Sequence, residues 1–138
     1  MNGYLLDTHV WLWISEGASK EVSRDFFSEV EEWQRQRTVY LSPISCWEVV
    51  LLVAAQKYRL DGPIEDMWEQ DTNAESFLIA ELTGLILFNS TRLPGELHRD
   101  PSDRILAATA RAHKLTLVTR DKRLLRYAKQ GHLNARKP

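Results

Sequence analysis

Cysteine is nearly absent from this chain of 138 residues, because Cys46 is the only one. A single cysteine excludes an internal disulfide and is typical of proteins from a reducing compartment. Long apolar runs are lacking as well, and the longest, residues 49–55, is far too short to span a membrane. No basic segment precedes an apolar one at the N-terminus, so no signal peptide is predicted. We therefore expect a cytoplasmic protein that does not enter a membrane.

Length and charge narrow the kind of partner. A chain of this size predicts a single domain over residues 1–138, large enough to bury an apolar core. Residues 1–91 carry 6 Lys/Arg and 15 Asp/Glu, net −9, whereas residues 92–138 carry 12 and 4, net +8. A basic segment suits a polyanionic substrate, although two halves that neutralise each other across the surface would give the same count.

Short apolar runs alternate with segments of helical periodicity. Strands are predicted at residues 3–6, 38–41, 77–82, 115–119 and, at an edge, 132–135. Helices are predicted at residues 7–14, 19–37, 43–58, 64–71, 84–91, 100–113 and 121–129. The alternation of strands and helices predicts a three-layer α/β/α domain with a small parallel sheet and right-handed crossovers.

Four acidic residues stand where a parallel-sheet protein gathers a metal site. Asp7 and Asp121 each follow a predicted strand, and Glu48 and Asp103 lie in the first turns of predicted helices. Sites in open α/β sheets form outside the carboxyl ends of the strands. Carboxylates that converge there repel one another unless a cation holds them, and oxygen ligands favour Mg²⁺ or Mn²⁺. The chemistry that most often needs such a site is phosphodiester cleavage or phosphoryl transfer.

Each acid also has a purely structural interpretation. Asp7 and Asp121 are placed to cap the helices that follow them. Asp103 is placed to reach back to Asp100 in a capping box, and Glu48 to pair with a surface cation. The apolar surroundings of Glu48 and Asp103 weigh against these roles, since an unpaired charge is costly to bury there. Asp100 itself is predicted to be only a helix cap.

Four motifs then resemble one family. They are Leu-Leu-Asp-Thr-His-Val-Trp-Leu-Trp, Ser-x-x-Ser-x-Trp-Glu, Leu-Pro-x-x-x-His-Arg-Asp-Pro-x-Asp-Arg-Ile-Leu-Ala-Ala-Thr-Ala and Leu-Val-Thr-Arg-Asp. In this order, from residue 4 to about residue 128, they resemble the motifs of PIN-domain ribonucleases, and more narrowly of VapC-type toxins. The resemblance implies that Asp7, Glu48, Asp103 and Asp121 bind metal and that Thr119 assists them. It also implies a cognate antitoxin.

The resulting hypothesis is a Mg²⁺- or Mn²⁺-dependent endoribonuclease in which metal-activated water attacks a phosphodiester. Thr8 is placed either to hydrogen-bond a neighbouring carboxylate or to cap a helix locally. His98 is predicted to brace the loop before Asp100. Four basic residues flank the acids and either contact RNA phosphates or pair with the carboxylates: Arg104, Arg120, Lys122 and Arg123. If the family's products apply, cleavage leaves a 5′-phosphate and a 3′-hydroxyl.

Two other functions stay open at this point. One is a metal-dependent phosphatase for small phosphate esters, although one common type has Asp-x-Asp after its first strand, and position 9 here is His. The other is a non-catalytic, receiver-like module that holds an ion. For assembly we expect a homodimer, because the helix predicted at residues 43–58 is apolar on more faces than a sheet can cover. The family resemblance implies the same.

Overall fold

A computed structural model describes residues 3–73 and 76–138. Within these ranges five strands form one sheet: β1 (Gly3–Leu6), β2 (Val39–Leu41), β3 (Leu78–Ile79), β4 (Leu115–Val118) and β5 (Ala135–Arg136). Their order is β3-β2-β1-β4-β5, and every neighbouring pair is parallel. Leu6 at the end of β1 pairs with Val118 at the end of β4. The residues that follow these two central strands therefore emerge side by side.

Helices cover both faces of the sheet. The described ranges contain α1 (Thr8–Glu16), α2 (Arg24–Arg35), α3 (Ile44–Ala54), α4 (Ile64–Asp71), α5 (Gly84–Ser90), α6 (Pro101–His113) and α7 (Lys122–Lys129). Because successive strand residues point to opposite faces, Leu6 joins a core with Trp11 and Phe26, whereas Leu5 joins a second core with Leu106 and Tyr127. Two cores on one sheet confirm the three-layer α/β/α prediction.

The predicted elements exist, and their boundaries shift for local reasons. The helix predicted from residue 19 begins at Arg24, because Ser23 Oγ accepts a hydrogen bond from the Phe26 N–H. The helix predicted to reach residue 58 ends at Ala54, and Gln56 then adopts a left-handed φ of 58°. The strand predicted at 77–82 is reduced to β3, and the edge strand begins at Ala135 instead of residue 132.

One helix carries an apolar face that the described core does not cover. In α3 only Ile44, Ser45 and Val49 are buried. Four large apolar side chains of α3 are exposed instead: Trp47, Val50, Leu51 and Val53. Three more lie on α5, which packs on α6 as α3 does: Leu85, Leu87 and Phe88. No helix in the described ranges is long and apolar enough to cross a bilayer.

Candidate metal centre

The four predicted acids line one cleft at the carboxyl edge of the sheet. Asp7 follows β1 and Asp121 follows β4, while Glu48 lies in α3 and Asp103 in α6. The cleft has a volume of about 400 Å³, and Asp100, Arg120 and Arg123 are among its other lining residues. The parallel register of β1 and β4 thus brings acids more than a hundred residues apart in sequence into one site.

Asp7 is buried and held by two donors. Its side chain caps α1, with Oδ1 accepting from the Thr8 N–H at 2.6 Å, and Oδ2 accepts from the Thr119 hydroxyl at 2.5 Å. Burial raises the pKa of Asp7 to about 7 against the Thr119 hydrogen bond, and the nearby charges of Asp103 and Glu48 add to the rise. The metal-free site therefore contains more negative charge than its hydrogen bonds compensate.

Two threonines support this carboxylate in different ways. Thr119, fully buried, donates to Asp7 and accepts from the Asp121 N–H at 3.0 Å, so it links the ends of two acids' loops. The Thr8 hydroxyl lies 2.8 Å from Ser45 Oγ rather than against a carboxylate. Of the two roles open to Thr8, the structure has the local one, through its backbone N–H.

Glu48 has one oxygen with a donor and one without. Its Oε2 accepts from the Ser102 hydroxyl at 2.8 Å, and that hydroxyl is also 2.9 Å from Asp100 Oδ1. A single hydroxyl proton serves one acceptor well at a time. Glu48 Oε1 is buried and has no hydrogen-bond partner among the described residues. Such an orphaned carboxylate oxygen fits a cation that completes the site.

Asp103 lies at the centre of the cluster and contacts a histidine. It is 7% exposed, and its Oδ2 is 2.6 Å from His98 Nε2. Burial raises the pKa of Asp103 despite the hydrogen bond with His98, and the charges of Asp100 and Asp121 raise it further. Asp100 caps α6 as predicted, accepting from the N–H groups of Ser102 and Asp103. The reciprocal half of a capping box is not formed, because the Asp103 carboxylate is turned towards His98.

Asp121 differs from the other acids because it is ionised easily. It caps α7 through Oδ1, which accepts from the N–H groups of Arg123 and Leu124 at 2.8 and 3.2 Å. Arg123 Nη2 lies 3.2 Å from its Oδ2. Burial alone would raise the pKa of Asp121, but the hydrogen bonds from the Arg123 side chain and from these N–H groups outweigh burial and lower it.

Two overlapping sets of side chains have the spacing of metal ligands. In the first, oxygen or nitrogen atoms of His98, Asp103 and Asp121 all lie within 4.8 Å of one another. In the second, oxygens of Glu48, Asp100 and Asp103 do so. Asp103 belongs to both sets, and Asp7 lines the same cleft without belonging to either. An oxygen-rich donor set with unmet negative charge fits a hard divalent cation such as Mg²⁺ or Mn²⁺.

Sequence reasoning missed His98 and Ser102 as members of this site. His98 was predicted to brace a loop, but its ring nitrogen faces Asp103 inside the cluster. The signal was its place five residues before Asp103 in a His-Arg-Asp-Pro-Ser-Asp segment. Ser102 gave no signal of its own, because its role depends on Glu48 arriving from α3, 54 positions away in sequence.

The four predicted basic contacts separate into two groups. Arg120 and Arg123 line the cleft, Arg120 with its guanidinium 4.5 Å from the centre of the Trp13 ring and 3.1 Å from Glu21. Lys122 lines a different groove. Arg104 is turned inward and donates to the carbonyls of Ser90, Leu97 and His98, so its predicted role as a direct RNA contact is replaced by bracing of the loop.

Comparison with known proteins identifies the family. Residues 4–130 match the family model of the PIN domain. The chain is a PIN domain. A curated relative, Ribonuclease VapC22 from Mycobacterium tuberculosis, is 30% identical over 124 residues, which are 90% of this chain and 91% of the relative. The match confirms the PIN family and the VapC type that the four motifs predicted.

Solved structures give the same fold for this PIN domain. VapBC2 from Rickettsia felis, solved with a DNA fragment from its promoter, aligns with a TM-score of 0.66 at 17% identity, covering 99% of this chain and 98% of that one. FitAcB from Neisseria gonorrhoeae aligns with a TM-score of 0.57 at 24% identity, covering 96% and 95%. These likenesses confirm the predicted α/β fold.

Proposed function

We propose that this PIN domain is a divalent-metal-dependent endoribonuclease. The observation that carries the proposal is the shared position of Asp103 in two ligand sets within one cleft. Such a site suits cleavage of a phosphodiester, because developing charge on the phosphoryl oxygens needs a nearby cation. The relative named as a ribonuclease supports RNA as the substrate.

The residues would divide the work as follows. Glu48, Asp103 and Asp121, with Asp7, Asp100 and His98 beside them, would hold Mg²⁺ or Mn²⁺. A bound ion would supply Lewis acidity for the attacking water and for the phosphoryl oxygens. Thr119 and the Thr8 N–H fix both oxygens of Asp7, so this carboxylate keeps its orientation as substrate enters. Arg120 and Arg123, at the cleft wall, would bind non-bridging phosphate oxygens.

The direct test is incubation of the purified chain with RNA and, separately, with a small phosphate monoester. RNA should be cut in Mg²⁺ or Mn²⁺, stay intact in EDTA, and be cut again after the ion is restored. The monoester should remain unhydrolysed. Sequencing the fragments would identify the cleavage site and the 5′-phosphate ends. Cleavage in excess chelator would contradict the metal mechanism, and hydrolysis of the ester alone would favour a phosphatase.

We also propose that the chain is the toxin of a toxin–antitoxin pair and acts in the cytoplasm. Its support is the VapC-type family together with the named complexes VapBC2 and FitAcB among similar folds. Expression of the chain alone should arrest bacterial growth, and co-expression with its cognate antitoxin should restore it. Growth that continues with active nuclease present would contradict the toxin role.

A homodimer is the proposed assembly. The exposed apolar side chains of α3 and α5 are the supporting observation, since soluble monomers rarely expose large apolar patches. Two-fold association is the commonest way to bury such a face. Static light scattering at micromolar concentration would give twice the chain mass of 16.0 kDa if the proposal is right.

A further inference from the structure

A second groove adjoins the metal centre and is lined by arginines. It has a volume of about 670 Å³ and lies between the loop at residues 95–99 and α7. Arg99, Arg104, Arg123 and Arg126 line it, together with one acid, Glu96. His98 and Arg123 belong to both this arginine groove and the environment of the acids. A chain-like ligand can therefore pass from one to the other without leaving the surface.

The positive charge of the arginine groove is poorly compensated. Elsewhere on the surface Arg35, Arg120 and Arg136 each pair with a glutamate. Within residues 3–73 and 76–138, neither Arg99 nor Arg126 makes an ion pair. Arg104 donates only to backbone carbonyls among the described residues. Their guanidinium groups are thus available to an external anion or, for Arg104, add a fixed charge beneath it.

The wall of the groove is held in place before any ligand binds. Tyr127 Oη donates to the Pro94 carbonyl at 2.5 Å, and Arg104 holds the Leu97 carbonyl at 2.8 Å. Gly95 has a φ of +68°, and a Cβ there would lie 2.5 Å from His132 Nε2. The loop therefore packs closely against α7 and the segment behind it. A preformed site loses less entropy on binding than a flexible one.

We propose that the arginine groove binds the phosphates that flank the scissile bond of a single-stranded RNA. This inference rests on the proposed endoribonuclease function. Arginine suits it, because a planar guanidinium can donate two parallel hydrogen bonds to one phosphate. An acidic protein segment would also meet the charge requirement. RNA is favoured because the groove runs directly into a centre built for phosphodiesters, and phosphates recur at each step along the chain.

A neighbouring basic groove provides the matched control. Lys122, Lys129 and Lys137 line it on another side of α7, and none of the acids of the metal centre borders it. Arg126 touches both grooves, whereas Arg99 belongs to the arginine groove and Lys129 and Lys137 to the control. Two double variants, Arg99→Ala/Arg126→Ala and Lys129→Ala/Lys137→Ala, each remove two positive charges. General electrostatic attraction therefore changes equally in both.

The test measures RNA affinity without cleavage. Asp7→Asn is the background, because Asp7 contacts none of these arginines, and fluorescence anisotropy of a labelled single-stranded RNA is followed over a salt series. Arg99→Ala/Arg126→Ala should weaken binding about tenfold and flatten the slope of log affinity against log salt by about 1.4. Lys129→Ala/Lys137→Ala should change affinity less than threefold by the same reasoning. Equal losses in the two variants, or none, would overturn the proposal.

Two further arms separate the alternatives. A poly-glutamate peptide of matched charge should not bind the groove in preference to RNA; tight binding that only Arg99→Ala/Arg126→Ala abolishes would assign the groove to an acidic protein partner instead. Cleavage by the wild-type chain is assayed separately. Groove-dependent RNA binding without any cleavage would contradict the nuclease function and leave the groove intact, whereas normal cleavage with unchanged binding in the variant would contradict the groove alone.

Discussion

Replacing Asp7 by Asn should stabilise the metal-free protein at alkaline pH and remove its activity. Asp7 is 8% exposed, and burial, with the charges of Asp103 and Glu48, raises its pKa to about 7. Above that pH the folded chain must hold an ionised carboxylate that water would solvate better. Asn keeps the helix cap, since Asn and Asp cap equally well, but carries no charge.

The magnitude follows from the pKa. At about 1.36 kcal/mol per pKa unit, ionised Asp7 costs the metal-free fold roughly 4 kcal/mol at pH 8. Loss of the charge-assisted hydrogen bond from Thr119 offsets about 1.5 kcal/mol of the gain. The net gain of about 2–3 kcal/mol corresponds to a Tm roughly 10 °C higher for a domain of this size.

The pH dependence fixes the sign. Because the folded pKa lies above the unfolded one, the folded state binds more protons between about pH 4 and pH 7. Wild-type stability therefore falls as pH rises through this window, whereas the variant lacks this contribution. The advantage of Asp7→Asn should nearly vanish at pH 5, where folded Asp7 is already protonated.

The assay is thermal unfolding in EDTA at pH 5 and pH 8. Asp66→Asn is the matched control, since Asp66 is an exposed acid in the first turn of α4, and it should shift Tm little at either pH. Adding Mn²⁺ at pH 8 should raise the wild-type Tm more than that of Asp7→Asn. An unchanged or lower Tm for Asp7→Asn at pH 8 would refute the claim that uncompensated charge strains the empty site.

Three other substitutions test separate parts of the site. Asp103→Asn should leave no RNA cleavage above background, whereas Asp100→Asn, which keeps the α6 cap, should retain most of it; the reverse order would mean that Asp100 is the essential ligand. His98→Ala should weaken Mn²⁺ binding in titration calorimetry if its ring nitrogen is a ligand, and unchanged affinity would leave His98 only a partner of Asp103. Val50→Glu, at an exposed position of α3, should give monomers in light scattering, while an unchanged mass would place the dimer contact elsewhere.

Much of this architecture was predictable because periodicity and burial agree. The stripe of Val22, Phe26, Val30 and Trp33 predicted α2, and all four side chains are buried. The boundaries were not predictable to the residue, since Ser23 competes with earlier positions for the cap. β3 is two residues long, and its pairing with β2 depends on contacts that no local pattern encodes.

The site was predictable in its acids and not in their partners. Asp7 and Asp121 were found because each ends a strand, which is a local property. His98 and Ser102 act through contacts with Asp103 and Glu48, and these contacts exist only after α3 and α6 pack together. Arg104 shows the converse error: its neighbours in sequence predicted a phosphate contact, but its guanidinium finds backbone carbonyls first.

The choice between helix cap and metal ligand, which the sequence presented as alternatives, turns out not to be exclusive. Asp7, Asp100 and Asp121 cap α1, α6 and α7, and all three line the cleft. In Asp100 and Asp121 it is Oδ1 that accepts from the backbone, which leaves the second oxygen for the cleft. Helix N-termini carry partial positive charge, so they also offset some of the repulsion among the acids. Capping therefore orients the carboxylates before any ion arrives, and an acid that ends a strand and begins a helix is well placed for both roles.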